Sequence, residues 1–256
     1  VTTPDQTTGQ FAGQVVIVTG AGSGIGRATA AAFADAGAHV LGVGRREDAL
    51  AGTAARHPAI AIQPADITED GAAEAVVQGA VDRWGRIDVL VNNAGVFAAM
   101  PLSEATANRI GQLLDVNVTA PSVLASVALP YLKESRGAIV NVSSTFGHRP
   151  AAGAGHYGAS KAALEQLTRS WALELAPDGI RVNAVAAGPT ESEALSAAGL
   201  PDAAVDEIKA DEAARIPLGR RGDPTEIATW ILQLAGSGTA WLTGQVLTVD
   251  GGLELT

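Results

Sequence analysis

The apolar, β-branched run Val15-Val16-Ile17-Val18 leads straight into Thr19-Gly20-Ala21-Gly22-Ser23-Gly24-Ile25-Gly26, and a periodic Ala-rich segment from Arg27 to Ala36 follows. This order reads as strand, glycine turn, helix. Gly20 permits a tight bend, and Gly24, flanked by Ser23 and Ile25, lets backbone approach a pyrophosphate. Gly26 lets the helix sit close on the sheet, and the open N–H groups at the helix N-terminus favour phosphate. An ordinary βα loop can also carry such glycines, so the rest of the chain has to decide.

The rest of the chain repeats the alternation. Strands are expected at Val15–Val18, His39–Val43, Ala59–Pro64, Val89–Asn92, Ala138–Val142, Arg181–Val185 and Gln245–Val249. Helices are expected at Gly26–Ala36, Glu47–Arg56, Glu69–Trp84, Glu104–Lys133, Tyr157–Leu175 and Thr225–Ala235. Apolar, non-alternating strands separated by helices indicate a parallel sheet covered on both faces. Right-handed crossovers then give a Rossmann-type α/β three-layer sandwich with a doubly wound, seven-stranded parallel sheet. At 256 residues, 47% of them hydrophobic and 17% charged, the chain can bury a full core in one domain. That domain is expected over residues 13–256, after a flexible leader at 1–12. Residues 188–217, rich in Pro, Gly, Ser and acidic residues around short helical patches, read as a lid.

The net charge of −10 argues against nucleic acid and anionic membranes as partners. There is no cysteine, and the four histidines include no His-x-x-x-His pair, so a catalytic metal is not expected. Val1 to Gln10 is polar and unlike a signal peptide, and no apolar run is expected to span a bilayer. The expectation is a cytoplasmic protein.

Function in such a fold sits at the carboxyl ends of the strands. The second strand ends Val43-Gly44-Arg45-Arg46. A carboxylate at this point suits the ribose hydroxyls of NAD, whereas Gly44 followed by arginines suits a 2′-phosphate, so NADP(H) is expected over NAD(H). Solvation of Arg45 or Arg46 at the start of the next helix is the plainer alternative. Asp66-Ile67 ends the third strand, where a carboxylate can reach an adenine amino group or simply make an exposed turn. Asn92-Asn93-Ala94-Gly95 ends the fourth, where amides can knit strands and small residues leave room for a ribose.

Tyr157 and Lys161 are one helical turn apart on one face. A free tyrosine, with a pKa of about 10, is a poor acid–base group at neutrality. A cation at ~4 Å with an effective dielectric near 20 favours phenolate by on the order of 4 kcal/mol, before desolvation opposes it. The pair therefore points to a general acid–base tyrosine, although the same spacing is common on helix surfaces. Ser143-Ser144 brings a hydroxyl to the same edge, and the amide of Asn117, mid-helix, can hold a water beside Lys161.

Taken together, Thr19–Gly26, Asp66, Asn92–Gly95, Asn117, Ser144, Tyr157, Lys161, Pro217–Arg220, Leu242–Gln245 and Val249–Gly252 resemble the short-chain dehydrogenase/reductase family. The resemblance is to the Tyr-x-x-x-Lys branch and its 3-oxoacyl-(acyl-carrier-protein) reductase-like members, and it runs from Gln14 to the end. It implies a catalytic tetrad of Asn117, Ser144, Tyr157 and Lys161. Ser144 is preferred to Ser143 because the family's serine stands thirteen positions before the tyrosine. It further implies that Tyr157 and Lys161 also meet the cofactor. Gly188, Thr190 and Ser192 would line the nicotinamide and pyrophosphate, Thr190 through its backbone at the carboxamide. Ala187-Gly188 departs from the family's Pro-Gly, which leaves φ freer there.

Substrate walls are expected at Gly95–Phe97, Thr145–His148, His156 and the 188–217 segment; His148 and His156 could act as substrate ligands, but exposed loop histidines usually carry no function, and that is the plainer reading. The resulting reading is an NADP(H)-dependent oxidoreductase of a small ketone or secondary alcohol. The alternatives are a 3-oxoacyl-thioester reductase acting on acyl carrier protein and a non-catalytic NADP(H)-sensing protein. Arg136 and Arg149 are available to an acidic carrier protein, but Asp178 stands where those reductases often carry a basic residue. The long Ala/Leu/Val-rich helix Glu104–Lys133 and the family's use of it imply a homotetramer, or failing that a dimer.

Overall fold

The computed structural model describes residues 9–192 and 201–256. Its strands are β1 (Val15–Thr19), β2 (His39–Gly44), β3 (Ile60–Pro64), β4 (Val89–Asn92), β5 (Ala138–Ser144), β6 (Arg181–Ala187) and β7 (Val246–Val249). They form one all-parallel sheet in the order β3-β2-β1-β4-β5-β6-β7. The order reverses between β1 and β4, which opens a crevice at their carboxyl ends.

Alternation along β1 shows why both faces must be covered. Val16 and Val18 face one side and pack with Phe33 of α1 (Gly24–Asp35) and with Ile227 and Ile231 of the last helix. Val15 and Ile17 face the other and pack with Val76 of α3 (Ala72–Trp84) and with Leu124, Ala128 and Leu132. Each fully buried Val, Leu or Ile contributes roughly 1.5–3 kcal/mol, so neither helical layer is dispensable. A short helix, α2 (Glu47–Ala54), links β2 to β3.

The expected helix Glu104–Lys133 is not continuous. It consists of α4 (Ala107–Leu114), a wide π-type turn at Asp115–Thr119, and α5 (Ala120–Ser135). Thr106 caps α4 by accepting from the Arg109 N–H. The wide turn falls on the β-branched run around Asn117, whose amide is bonded outside the helix, to both N–H and C=O of Val96. Residues 107–135 together are long and apolar enough to cross a membrane, contrary to the expectation of no such run. In this fold Leu124, Ala128 and Leu132 are buried in the layer under the sheet.

α6 (Gly155–Leu175) follows β5. The segment expected to be irregular contains a helix of 14 residues, α7 (Asp202–Arg215). Val205 alone of it is buried, so its sequence carries little amphipathic signal. Residues 193–200 of the expected lid lie outside the described residues. α8 (Pro224–Ala235) opens on a capping box between Asp223 and Glu226. Arg181 closes its far end by donating to the carbonyls of Leu234, Ala235 and Gly236 at 2.6, 2.6 and 3.0 Å. The expected leader is corrected at Phe11. This residue is buried, its N–H donates to Ala36 O, and its ring meets Phe33 edge-on at 4.8 Å. Residues 1–8 lie outside the described residues.

Candidate active site

A cavity of about 330 Å³ occupies the crevice. One wall is the glycine turn. A Cβ at Gly26 would lie 2.2 Å from Gly20 O, so only glycine fits where α1 leaves the turn. Gly24 has φ +48°, and a Cβ there would meet Ser192 at 3.0 Å, which brings the loop after β6 onto the turn. Ser23 stands at the N-cap of α1 without a cap bond to its own helix, leaving its hydroxyl and the first-turn N–H groups facing the cavity. Asn93 supports the turn from β4, its Nδ2 donating to Thr19 O at 2.8 Å.

Of the residues expected at a cofactor, Gly20, Ser23, Gly24, Ile25, Gly26, Arg45, Arg46, Asp66, Ile67, Ala94, Gly95, Thr190 and Ser192 line this cavity. Two do not. The Asn92 side chain is buried within the sheet, its Nδ2 donating to Asn141 Oδ1 at 2.9 Å, because β4 and β5 place these residues in register. Gly188 turns toward Asp250, 2.6 Å from where its Cβ would be. Asn93, Leu50, Ala65 and Val116 line the cavity beyond the cofactor residues expected, and Val96, expected as a substrate wall, lines it too. Asn93 stood in the quoted Asn-Asn-Ala-Gly stretch, whereas Val116 becomes a wall only through the wide turn after α4, which no local pattern announces.

Arg45 is largely exposed, with its guanidinium 3.9 Å from Asp66. Asp66 accepts from the N–H and hydroxyl of Thr68, and these two bonds hold its carboxyl below the usual range, with Arg45 adding to them against a small burial effect. It is therefore both a turn residue and part of the cavity wall.

At the reacting end, Ser144 finishes β5 and its hydroxyl, which accepts from Phe146 N at 3.3 Å, lies near enough to the Tyr157 phenol to act on its ionisation. Burial pushes that phenol above its ordinary value, and Ser144 draws it partly back. The sequence had suggested a lowered phenol. The Lys161 ammonium is 5.9 Å from the Tyr157 ring centroid and donates to Val142 O at 2.9 Å, so desolvation dominates. Burial lowers Lys161 to about 8, with Glu165 acting in the opposite direction. Lys161 and Asn117 converge over Gly95, where a Cβ would lie 3.1 Å from Nζ and 3.3 Å from Oδ1, so the ammonium adjoins the cofactor cavity.

The Asn117 amide is committed to protein groups: to Val96, and to Ser160 Oγ at 3.0 Å, which in turn donates to Tyr157 O. It braces the start of α6 with both amide hydrogens, and its Oδ1 faces the Gly95 side shared with Lys161. Ser143 points away from Tyr157 and donates to Glu165 at 2.8 Å, as strand alternation from Ser144 requires. His148 has both ring nitrogens engaged, with Glu165 at 3.2 Å and Glu254 at 2.8 Å, and so serves as a brace. His156 Nδ1 is buried without a hydrogen-bond partner. Phe97 and Phe146 flank the Tyr157 ring edge-on at 5.0 and 6.4 Å.

This arrangement can exchange a proton with a carbonyl or hydroxyl oxygen next to a nucleotide-sized cleft, and the whole chain is similar to known proteins. A family model described as enoyl-(acyl carrier protein) reductase matches residues 20–254. A 3-oxoacyl-[acyl-carrier-protein] reductase of Thermotoga maritima is 39% identical over 251 residues, covering 95% of this chain and 98% of its own. A cis-4-hydroxycyclohexanecarboxylate dehydrogenase of Sinomonas cyclohexanicum is 38% identical, covering 94% and 97%. A Caenorhabditis elegans short-chain dehydrogenase/reductase of unknown function, crystallised with cofactor, superposes with a TM-score of 0.90 at 35% identity, covering 96% and 97%.

Proposed function

The chain belongs to the short-chain dehydrogenase/reductase family, and from that premise we propose that it interconverts a ketone and a secondary alcohol with NADP(H), Tyr157 acting as general acid and base. The observation that carries this reading is the Ser144–Tyr157 hydroxyl pair at the end of β5, with Lys161 between it and the nucleotide-sized cavity. The cavity fits a dinucleotide: the glycine cradle leaves no room for a Cβ, and a helix N-terminus faces it. Gly20 and Ser23 to Gly26 would hold the pyrophosphate, Arg45 and Arg46 a 2′-phosphate, and Asp66 and Ile67 the adenine. Ala94, Gly95 and Lys161 would meet the nicotinamide ribose, with Thr190 and Ser192 closing the other side.

The cofactor supplies or accepts the hydride at the substrate carbon. In reduction Tyr157 donates its proton to the carbonyl oxygen while Ser144 hydrogen-bonds the same atom and stabilises negative charge developing there. Burial keeps the phenol protonated and Lys161 is charged below about pH 8, so the resting ionisation state is the one reduction consumes. In oxidation the same atoms run in reverse, and the Lys161 ammonium stabilises the phenolate that takes the alcohol proton.

A 3-oxoacyl-thioester substrate is favoured by the Thermotoga relative. Against it, Asp178, paired with Lys133 at 2.9 Å, puts an acid on the surface an acidic carrier protein would approach, and Arg149 is taken up by the Thr256 carbonyl, which leaves Arg136 as the exposed basic group there. A small ketone or alcohol is the better reading. Exposed Val123 and Leu173 on α5 and α6, and Trp241 and Leu255 near the β7 edge, support a homotetramer, with a dimer as the simpler alternative. The test is NADPH and NADH consumption against cyclic and acyclic ketones and a 3-oxoacyl thioester, repeated with Arg45→Glu. The proposal expects NADPH preference on ketones, with the substitution raising KM for NADPH about tenfold or more and leaving NADH little changed. NADH preference in the unaltered protein would overturn the cofactor assignment.

A further inference from the structure

The loop that leaves β6 is held by an ion-pair knot that the catalytic reading does not use. Arg221 has a side chain only 8% exposed, and each of its three guanidinium nitrogens meets a partner. Nε donates to Glu191 Oε1 at 2.9 Å, Nη2 donates to Thr190 O at 2.5 Å, and Nη1 meets the Glu212 carboxylate. Glu191 also receives Lys209 Nζ at 2.7 Å. Burial alone would push the Glu191 carboxyl up, but Lys209 and Arg221 together hold it below its usual value. Two backbone bonds complete the knot, from Gly222 N to Pro189 O and from Glu191 N to Gly222 O, each 2.9 Å. The neighbouring Arg220 pairs with Glu226 in solvent, where such a pair contributes little.

Arg221 is buried while Glu191 and Glu212 stay 44% and 32% exposed, and such a half-buried pair is a poor means of adding stability. Its use is to fix geometry, because a guanidinium out of water tolerates few arrangements. The atoms fixed here belong to Thr190 and Glu191, next to Ser192, and both Thr190 and Ser192 line the cavity. Ala187, three residues before Thr190, is in register with Ser144, so this loop begins beside the reacting hydroxyls. It then reaches Gly24, where Ser192 closes on the phosphate turn. The same knot joins chain on both sides of residues 193–200: Glu191 before them, Lys209 and Glu212 of α7 after them.

We propose that Arg221 is a positioning residue for cofactor binding, holding the Thr190–Ser192 wall at the nicotinamide end through Glu191, Glu212 and the Thr190 carbonyl. The proposal rests on the dinucleotide reading above. Arg221 bonds the Thr190 carbonyl directly and reaches Ser192 only through the chain, so its effect falls mainly on the nicotinamide end, and this makes it separable from a general loss of fold.

The experiment compares calorimetric affinity for NADP+ with that for 2′-phospho-ADP-ribose, which lacks only the nicotinamide. The proteins are the unaltered chain, Arg221→Met, Arg221→Lys and Glu212→Gln. Arg221→Met is expected to weaken NADP+ about tenfold or more while 2′-phospho-ADP-ribose stays within about twofold, and to raise KM for NADPH more than it lowers kcat. Lysine keeps the charge but cannot form three directed bonds, so Arg221→Lys falls between. Glu212→Gln, which keeps size and fold, gives the same selectivity at smaller amplitude. Equal losses for both ligands, or no loss for either, overturn the positioning role. Failure of the unaltered protein to bind either ligand overturns the dinucleotide reading itself, and the proposal with it.

Discussion

Lys161 should make the folded protein less stable at neutral pH than a chain with an apolar residue in its place, and the size of the effect can be worked out. Its side chain is 4% exposed and its ammonium donates to Val142 O. Burial lowers its pKa from 10.5 to about 8, Glu165 offsetting only part of the shift. Below pH 8 folded and unfolded chains are both charged, and the folded one bears the full desolvation penalty. As pH rises through 8 the folded protein releases the proton while the unfolded chain keeps it to 10.5, so the penalty fades and is gone above that value. The whole span is roughly 3 kcal/mol, of which roughly 2.5 kcal/mol falls between pH 7 and pH 10. Urea unfolding of the unaltered protein and Lys161→Met at pH 7, 8, 9 and 10, at fixed protein concentration, isolates this group, because all other titrations cancel in the difference. Lys161→Met should have its greatest relative stability at pH 7 and lose roughly 2.5 kcal/mol of that advantage by pH 10. Parallel profiles, or an advantage that grows with pH, would refute the burial argument.

Gly26→Ala places a methyl 2.2 Å from Gly20 O and 2.5 Å from Asn93 Nδ2, so the turn must open; fluorescence titration should find dinucleotide affinity reduced by on the order of 10²-fold. Arg181→Met removes the donors that close α8 on three carbonyls, and urea unfolding should show a loss of about 2–3 kcal/mol. Glu165→Gln takes away the carboxylate that raises the Lys161 pKa. The alkaline limb of kcat/KM should therefore move to lower pH, and an unmoved limb would mean that Lys161 does not govern it.

The fold was legible because each strand is a short apolar run bounded by turn residues, and parallel topology follows from the alternation with helices. The glycine turn gave the phosphate wall, and the Tyr157–Lys161 spacing gave the reacting face of α6. What stayed hidden depends on contacts between segments distant in the chain. Asn117 looks like a poor helix former, but the wide turn around it exists because Val96 takes its amide. Asn92 and Asn93 are adjacent and chemically identical, and only register with Asn141 shows which one is inside the sheet. α7 buries Val205 alone, so its helix shows no apolar stripe. The Tyr157 pKa ran opposite to the spacing argument because spacing carries no information about desolvation or about Val142 O as a partner for Lys161.

The most direct test of the account is Tyr157→Phe, which removes one hydroxyl and keeps the ring between Phe97 and Phe146. Turnover of a ketone with NADPH should fall by about 10²–10⁴-fold, with NADPH affinity within about threefold of the unaltered protein. Turnover within tenfold of the unaltered protein, with affinity retained, would contradict the assignment of Tyr157 as the proton donor and with it the chemistry proposed for this site.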